Sequence, residues 1–257
     1  MDKTYKSIFI SDIHLGSRGC KADELCHFLK HNTCDNLYLI GDIIDGWRLK
    51  RNYYWKQGHS NVIRRVLTAA KRDTKVHYII GNHDEAIRPF LRYEINLGNI
   101  DFSNRQDYTD VKGRQFLVVH GDMFDSMMRH ENKLLVNIGD KLYDLLIIVN
   151  TKFNSIRMAL GMEYWSISAY LKKKTKQALA YITRFEDLIA EYCHKNKYEG
   201  IICGHIHTAD IKMINDVIYM NDGDWVESKT ALVETHDGIW QILEYQTDGS
   251  MKVIKEF

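Results

Sequence analysis

The sequence predicts an α/β fold in which two packed sheets are flanked by helices, and three observations carry that prediction. Five short runs rich in Ile, Val, Leu and Tyr ("SIFISDIH", "LYLIGDIID", "VHYIIGNHD", "FLVVHGD" and "GIICGHIH") are apolar at consecutive positions and each stops at a polar cluster. Apolarity that is continuous rather than alternating marks strands covered on both faces. Helix-like stretches, "ADELCHFLKH" and "NVIRRVLTAAKR", separate the first three runs, and strand–helix alternation implies right-handed crossovers and a largely parallel sheet. Two hairpin signals, "YTDVKGRQFLVV" around Lys112 and Gly113 and "TALVETHDGIWQILEY" around Asp237 and Gly238, add an antiparallel portion.

Along the chain, the first three runs and their helices are followed by the single proline, Pro89, placed near the start of a further helix. No internal repeat, low-complexity tract or Pro-rich linker interrupts the pattern. From about Met127 to Asn196 the strand signals vanish and a helical period dominates. Residues 127–196 therefore read as a helical cap inserted into a core made of 1–126 and 197–257. Within it Leu145, Leu146, Ile147, Ile148, Val149, Phe153, Met158, Leu160, Met162 and Trp165 lie close together. Such a segment reads first as the cap's own packing, because a helix apolar nearly all round is buried; the functional reading is an apolar groove for acyl chains. Lys172, Lys173, Lys174 and Lys176 beside Tyr170 read as a solvated face or as contacts to a phosphate or an anionic membrane surface. Trp225, after "NDGD", reads as core or as a platform near a site.

The chain has 257 residues, 45% of them apolar, enough for a sizeable core. Thirty-five Lys and Arg against 34 Asp and Glu give a formal charge of +1, which excludes a global field for nucleic acid or another acidic polymer and leaves only local preferences. Five cysteines (Cys20, Cys26, Cys34, Cys193, Cys203) form no CxxC, arguing against a disulfide framework and a zinc knuckle and for a reducing cytoplasm. No signal peptide is expected, and the longest very apolar stretch, "LLIIVN", is too short to span a bilayer.

The five strand ends supply Asp12, His14, Asp42, Asn82, His120, His205 and His207. In open α/β sheets ligands sit beyond the carboxyl ends of the strands. Seven oxygen and nitrogen donors exceed what one catalytic ion needs but suit two ions sharing one carboxylate, which together clamp the attacking and departing oxygens of an in-line phosphoryl displacement. Two divalent ions and two aspartates leave the centre cationic, fit to hold a phosphate and acidify a water. Glycines before Asp42, Asn82 and His205 allow tight turns there.

With "DIH", "GDIID", "GNHD", "VHGD" and "GHIH" in that order, the chain resembles the calcineurin-like metallophosphoesterases from about residue 7 to 245. The resemblance implies a four-layer α/β/β/α sandwich and a dinuclear centre. It assigns Asp12, His14 and His207 to the first metal, Asn82, His120 and His205 to the second, and Asp42 to the bridge. It makes His83 the general acid or phosphate contact, oriented by Asp84, and leaves Asp45 as a supporting or turn group. It implies Mn²⁺, while imidazole and carboxylate donors also suit Fe and Zn. "VHGD", the helical insertion and "NDGDW" resemble the bacterial UDP-2,3-diacylglucosamine hydrolases, which cut the pyrophosphate of a nucleotide-lipid in lipid A synthesis. Those enzymes typically carry Gly-Asn-Arg-Asp where this sequence has "GNHD".

The expectation is thus a cytoplasmic metal-dependent phosphohydrolase acting on a nucleotide-linked lipid, with peripheral contact to the inner face of the membrane and no nucleic-acid partner. Two alternatives stay open: a phosphodiesterase or phosphatase on a soluble nucleotide or phosphoprotein, and a metal-bound scaffold that binds without catalysing.

Overall fold

The computed structural model describes residues 4–93, 98–129 and 176–257. They divide into two compact units, Met1–Asp122 with Ile189–Phe257, and Met123–Leu188.

The first unit holds two sheets. The five apolar runs are its strands β1 (Tyr5–Ile10), β2 (Cys34–Ile40), β3 (Lys75–Ile79), β6 (Gln115–Val119) and β7 (Gly200–Cys203). Helix α1 (Ala22–His31) makes the crossover from β1 to parallel β2. A short α2 (Gly46–Arg51) and α3 (Gln57–Lys71) make the crossover from β2 to parallel β3. Four strands lay outside the expectation: β4 (Ile100–Ser103), β8 (Asp210–Ile214), β9 (Val217–Asn221) and β12 (Met251–Glu256). Both anticipated hairpins form, β5 (Arg105–Thr109) with β6 and β10 (Thr230–Glu234) with β11 (Trp240–Tyr245). The resulting orders are β12-β11-β10-β1-β2-β3-β4 and β5-β6-β7-β9-β8. Pro89 lies in the middle of a helix, the 3₁₀ helix Glu85–Tyr93, rather than near its start.

Two-sided burial explains the unbroken apolar runs. Ile8 and Ile10 of β1, Leu37 and Leu39 of β2, and Val76 and Tyr78 of β3 join the buried cluster that includes Leu25, Phe28, Val62 and Val66 of α1 and α3. The intervening Phe9, Tyr38, Ile40 and Ile79 join a second cluster with Phe116, Val118, Ile202 and Met220 of the five-stranded sheet. Phe9 stacks on Tyr38 at 4.7 Å and meets Tyr108 edge-on at 5.2 Å. Trp225 is fully buried in the first cluster, 5.4 Å from Phe28, so it is core.

In the second unit, Phe124 of α4 (Asp122–Arg129) and Phe185 of α5 (Lys176–Asn196) are buried edge to face at 5.7 Å. Tyr181 donates to Asp125 Oδ1 at 2.5 Å. The apolar segment Leu145–Trp165 and the Tyr170–Lys174 cluster lie outside the described residues. Among the described residues no helix is long and apolar enough to cross a membrane.

Candidate metal centre

The loops beyond β1 and β2 continue side by side after the strands end. Asp12 N donates to Gly41 O at 3.1 Å, His14 N to Asp42 O at 2.9 Å and Leu15 N to Ile43 O at 2.8 Å. Gly204 N donates to His120 O and Trp225 N to Asp12 O, both at 3.1 Å, which fastens the ends of β6, β7 and the following loop to the same point. This arrangement strains the backbone. Asp12, His14, Asp42, His205 and His207 all have positive φ, from 49° to 68°, half of the ten such non-glycine residues among those described. Each departure costs of order 1–3 kcal/mol and persists only where the surroundings over-determine it, as at functional sites. Glycine is needed at 81 because a Cβ there would lie 2.3 Å from Asp42 Oδ1.

Three groupings have donor atoms within 4.8 Å of one another: Asp12, His14 and His207; His14, Asp42 and His83; Asp12, Asp42 and His120. Asp12 and Asp42 therefore tie the cluster together. Asp12 Oδ1 is 3.1 Å from His207 Nε2 and 3.8 Å from His14 Nε2. Asp12 Oδ2 accepts from Ser11 Oγ at 2.6 Å and from the His205 amide at 2.8 Å. Asp42 Oδ2 is 3.4 Å from His120 Nε2 and 3.8 Å from both His14 Nε2 and His83 Nε2. The His205 ring lies 5.0 Å from that of His120, outside the three groupings.

The donors fit divalent ions on an observation independent of residue type. Asp12 Oδ1, Asn82 Oδ1 and His120 Nε2 are buried without a hydrogen-bond partner, a cost of about 1–3 kcal/mol apiece that an unmodified core would avoid. His120 Nδ1 is 2.8 Å from Ile40 O; an Nδ1–H donated there fixes the ring, as the second bond of a ligating histidine does, and turns Nε2 toward Asp42 as the atom that would give up its proton to a metal. Burial opposes ionisation of Asp12, but the neighbouring His207, His14 and His120 outweigh it and hold the carboxyl well below its ordinary range. Asp42 is lowered in the same way, chiefly by His120. Burial pulls His120 down, yet Asp42 prevails and pushes it up to about 10; His14 is likewise raised, by Asp12, Asp45 and Asp42.

The acid position differs from the expectation. His83 Nδ1 is 3.0 Å from Asp45 Oδ1, so Asp45 orients the ring. Asp84 instead accepts from the backbone amides of Ile43 at 3.1 Å and Ile44 at 2.8 Å, buttressing the loop that carries Asp42. Burial, then the charge of Asp42, pushes Asp84 up to about 6 against those amides. Asp45 also caps α2, accepting from Arg48 N at 2.9 Å. With Nδ1–H committed to Asp45, His83 Nε2 faces the cluster. The Trp47 ring, 38% exposed, lies 4.2 Å from the His83 ring, and its Nε1 donates to Glu85. Trp47 and the Arg88–Asp122 pair at 2.6 Å went unread in the sequence; a tryptophan two residues past "GDIID" was the available signal for the first.

A family model described as calcineurin-like phosphoesterase matches residues 5–209. UDP-2,3-diacylglucosamine hydrolase of Pectobacterium carotovorum is 19% identical over 81% of this chain and 85% of its own length. The DNA polymerase II small subunit of Methanothermobacter thermautotrophicus is 27% identical over 54% of this chain and 35% of that subunit. Among solved structures, Yfce, a phosphoesterase from E. coli, aligns over 98% of this chain and 97% of its own with a TM-score of 0.50 and 13% identity. The chain belongs to the calcineurin-like phosphoesterase family and is a metal-dependent hydrolase.

Proposed function

We propose that the chain is a dinuclear phosphohydrolase that cleaves the pyrophosphate of a nucleotide-linked lipid of the UDP-2,3-diacylglucosamine type. The observation that supports a dinuclear centre is that Asp12 and Asp42 join overlapping groupings with His14, His83, His120 and His207, within which Asp12 Oδ1 and His120 Nε2 are buried and unpaired. Asp12, His14 and His207 would hold one ion, Asn82, His120 and His205 the other, and Asp42 would touch both; Mn²⁺ is the proposed metal. The lipid substrate is supported by the similarity to the Pectobacterium hydrolase over most of both chains. Residues 46–72, which begin beside the centre, carry eight Lys and Arg and no Asp or Glu in a chain of net charge +1, and such a local field favours a polyanionic substrate. Residues 127–196 are proposed as the cap that meets the acyl chains, at the inner face of the membrane.

When bound, the two ions supply positive charge to the phosphoryl oxygens and lower the pKa of a water. His83, its Nδ1–H held by Asp45, presents Nε2 to the leaving oxygen. Asp84 and the amides of Ile43 and Ile44 fix the loop bearing Asp42. A histidine at position 83, which can give up a proton, also favours a second reading in which ordinary phosphodiesters are substrates. A panel of UDP-diacylglucosamine, free nucleotides and a chromogenic phosphodiester at fixed Mn²⁺ tests the proposal. Turnover of the nucleotide-lipid well above that of free nucleotides is expected, and no turnover of it would hand the assignment to the phosphodiester reading.

A further inference from the structure

Ser11 follows the last residue of β1 and is buried. Its Oγ stands 2.6 Å from Asp12 Oδ2 and 2.6 Å from Asp222 Oδ1, with Gly223 O at 3.3 Å. A hydroxyl carries one proton. It can donate to one of these carboxyl oxygens, and the other contact then sets two lone pairs against each other unless that carboxyl is itself a donor. One of the two acids therefore holds a proton, and the surroundings decide which. Asp12 faces His207 and His14 and accepts the His205 amide, so its charge is compensated. Asp222 is 0% exposed, and its Oδ2 is buried without a hydrogen-bond partner. A carboxylate so enclosed would lie far from water with little to offset its charge.

We propose that Asp222 is a positioning residue for the metal centre: as a neutral acid it donates to Ser11, which donates to Asp12 and locks that carboxylate in its metal-binding rotamer. The inference rests on the reading of Asp12 as a metal ligand. Its consequence is an asymmetric carboxylate. Oδ2 is saturated by Ser11 Oγ and the His205 amide, and Oδ1, the unpartnered oxygen, is left facing His14 and His207. Ser11 Oγ is closely enclosed on this side, since a Cβ at Gly204 would lie 2.0 Å from it. Asn221 secures the Asp222 loop, donating to Gly204 O at 2.7 Å and accepting from Gly223 N at 3.0 Å. Burial also pushes the Asp222 carboxyl well above the usual carboxylate range, in agreement with the hydrogen-bond count.

The test is Mn²⁺ binding by calorimetry to the wild type, Ser11→Ala, Asp222→Ala and Asp222→Asn, with thermal unfolding of each metal-free protein alongside. An amide donates where a neutral acid does, so Asp222→Asn should bind Mn²⁺ like the wild type, while Ser11→Ala and Asp222→Ala weaken it about ten- to hundredfold. The infrared band of a protonated carboxyl should be present in the metal-free wild type and missing from Asp222→Asn. If Asp222→Asn loses as much affinity as Asp222→Ala, or the band is absent from the wild type, the neutral-acid relay is overturned. If both alanine variants lose only thermal stability and keep full affinity, Asp222 is structural and the inference also falls. Failure of the wild type itself to bind Mn²⁺ would instead sink the metal-centre reading.

Discussion

Metal loading of this protein should be coupled to proton release, with a size that follows from the geometry of the centre. His120 sits 3.4 Å from Asp42 and is pushed up to about 10, and His14 is raised by Asp12, Asp45 and Asp42. Without bound metal both rings should therefore carry protons at neutral pH, whereas a metal ligand must be neutral. Each pH unit is worth about 1.4 kcal/mol, so at about pH 7.5 discharging His120 alone opposes binding by roughly 3 kcal/mol. Loading should therefore release about two protons, and the affinity for Mn²⁺ should rise about tenfold per pH unit for each proton displaced. Stability of the metal-free protein should run the other way. The His120 contribution is fully present below about pH 6.5 and is lost as pH rises through its folded value. Those of Asp12 and Asp42, whose folded values are lowered, are present above about pH 4 and lost as pH falls. Metal-free unfolding temperatures should peak between these limits, and added Mn²⁺ should stabilise more as pH rises. Calorimetry in buffers of different ionisation enthalpy counts the protons directly. A release near zero, with affinity flat across pH, would show that His14 and His120 are not charged before metal binds.

Asp45 both caps α2 and orients His83. Asp45→Asn should preserve the cap and lower kcat, whereas Asp45→Ala should lower kcat and also cost about 1 kcal/mol in denaturant unfolding; a wild-type kcat in Asp45→Asn would remove the orienting role. Gly204→Ala puts a methyl 2.0 Å from Ser11 Oγ and 2.5 Å from Asp12 Oδ2, so it should lose about 1–3 kcal/mol of stability and bind metal more weakly, and unchanged metal affinity would show that Asp12 can yield. The leaving group separates the roles open to His83. Expelled phosphate has a second pKa of about 6 and needs little protonation, while an alkoxide gains about 10²- to 10⁴-fold from an acid. His83→Arg should thus nearly abolish alkyl phosphodiester hydrolysis and cost a pyrophosphate substrate much less, and equal losses on both would make His83 a phosphate-positioning residue.

What was legible in the sequence is what is local. Asp12, His14, Asp42, Asn82, His120, His205 and His207 all lie within a few residues of the end of an apolar strand, and β1, β2, β3, β6 and β7 are buried on both faces, so position and burial are written in contiguous residues. The partner of His83 was not legible. Asp84 is adjacent in sequence, but its carboxylate turns back to Ile43 and Ile44, and the ring finds Asp45, brought in by the β2–α2 turn. Ser11 and Asp222 are separated by 211 positions and meet only because β1 and the loop after β9 end together. The β8–β9 hairpin carried a readable signal, Asn215-Asp216, both at positive φ between two apolar runs. β12 did not, since its exposed Lys–Val–Ile–Lys pattern reads as surface.

The proposed chemistry turns on Asp42 joining two ions in one phosphoesterase centre. The most direct measurement strips the protein of metal, restores Mn²⁺ stepwise, and follows bound metal per chain and turnover of a chromogenic phosphodiester in parallel for the wild type and Asp42→Ala. The stripped wild type should be inactive, activity should appear as the second ion binds, and Asp42→Ala should recover neither full occupancy nor turnover. Undiminished turnover by the stripped wild type, or Asp42→Ala holding two ions at the wild-type rate, would contradict it.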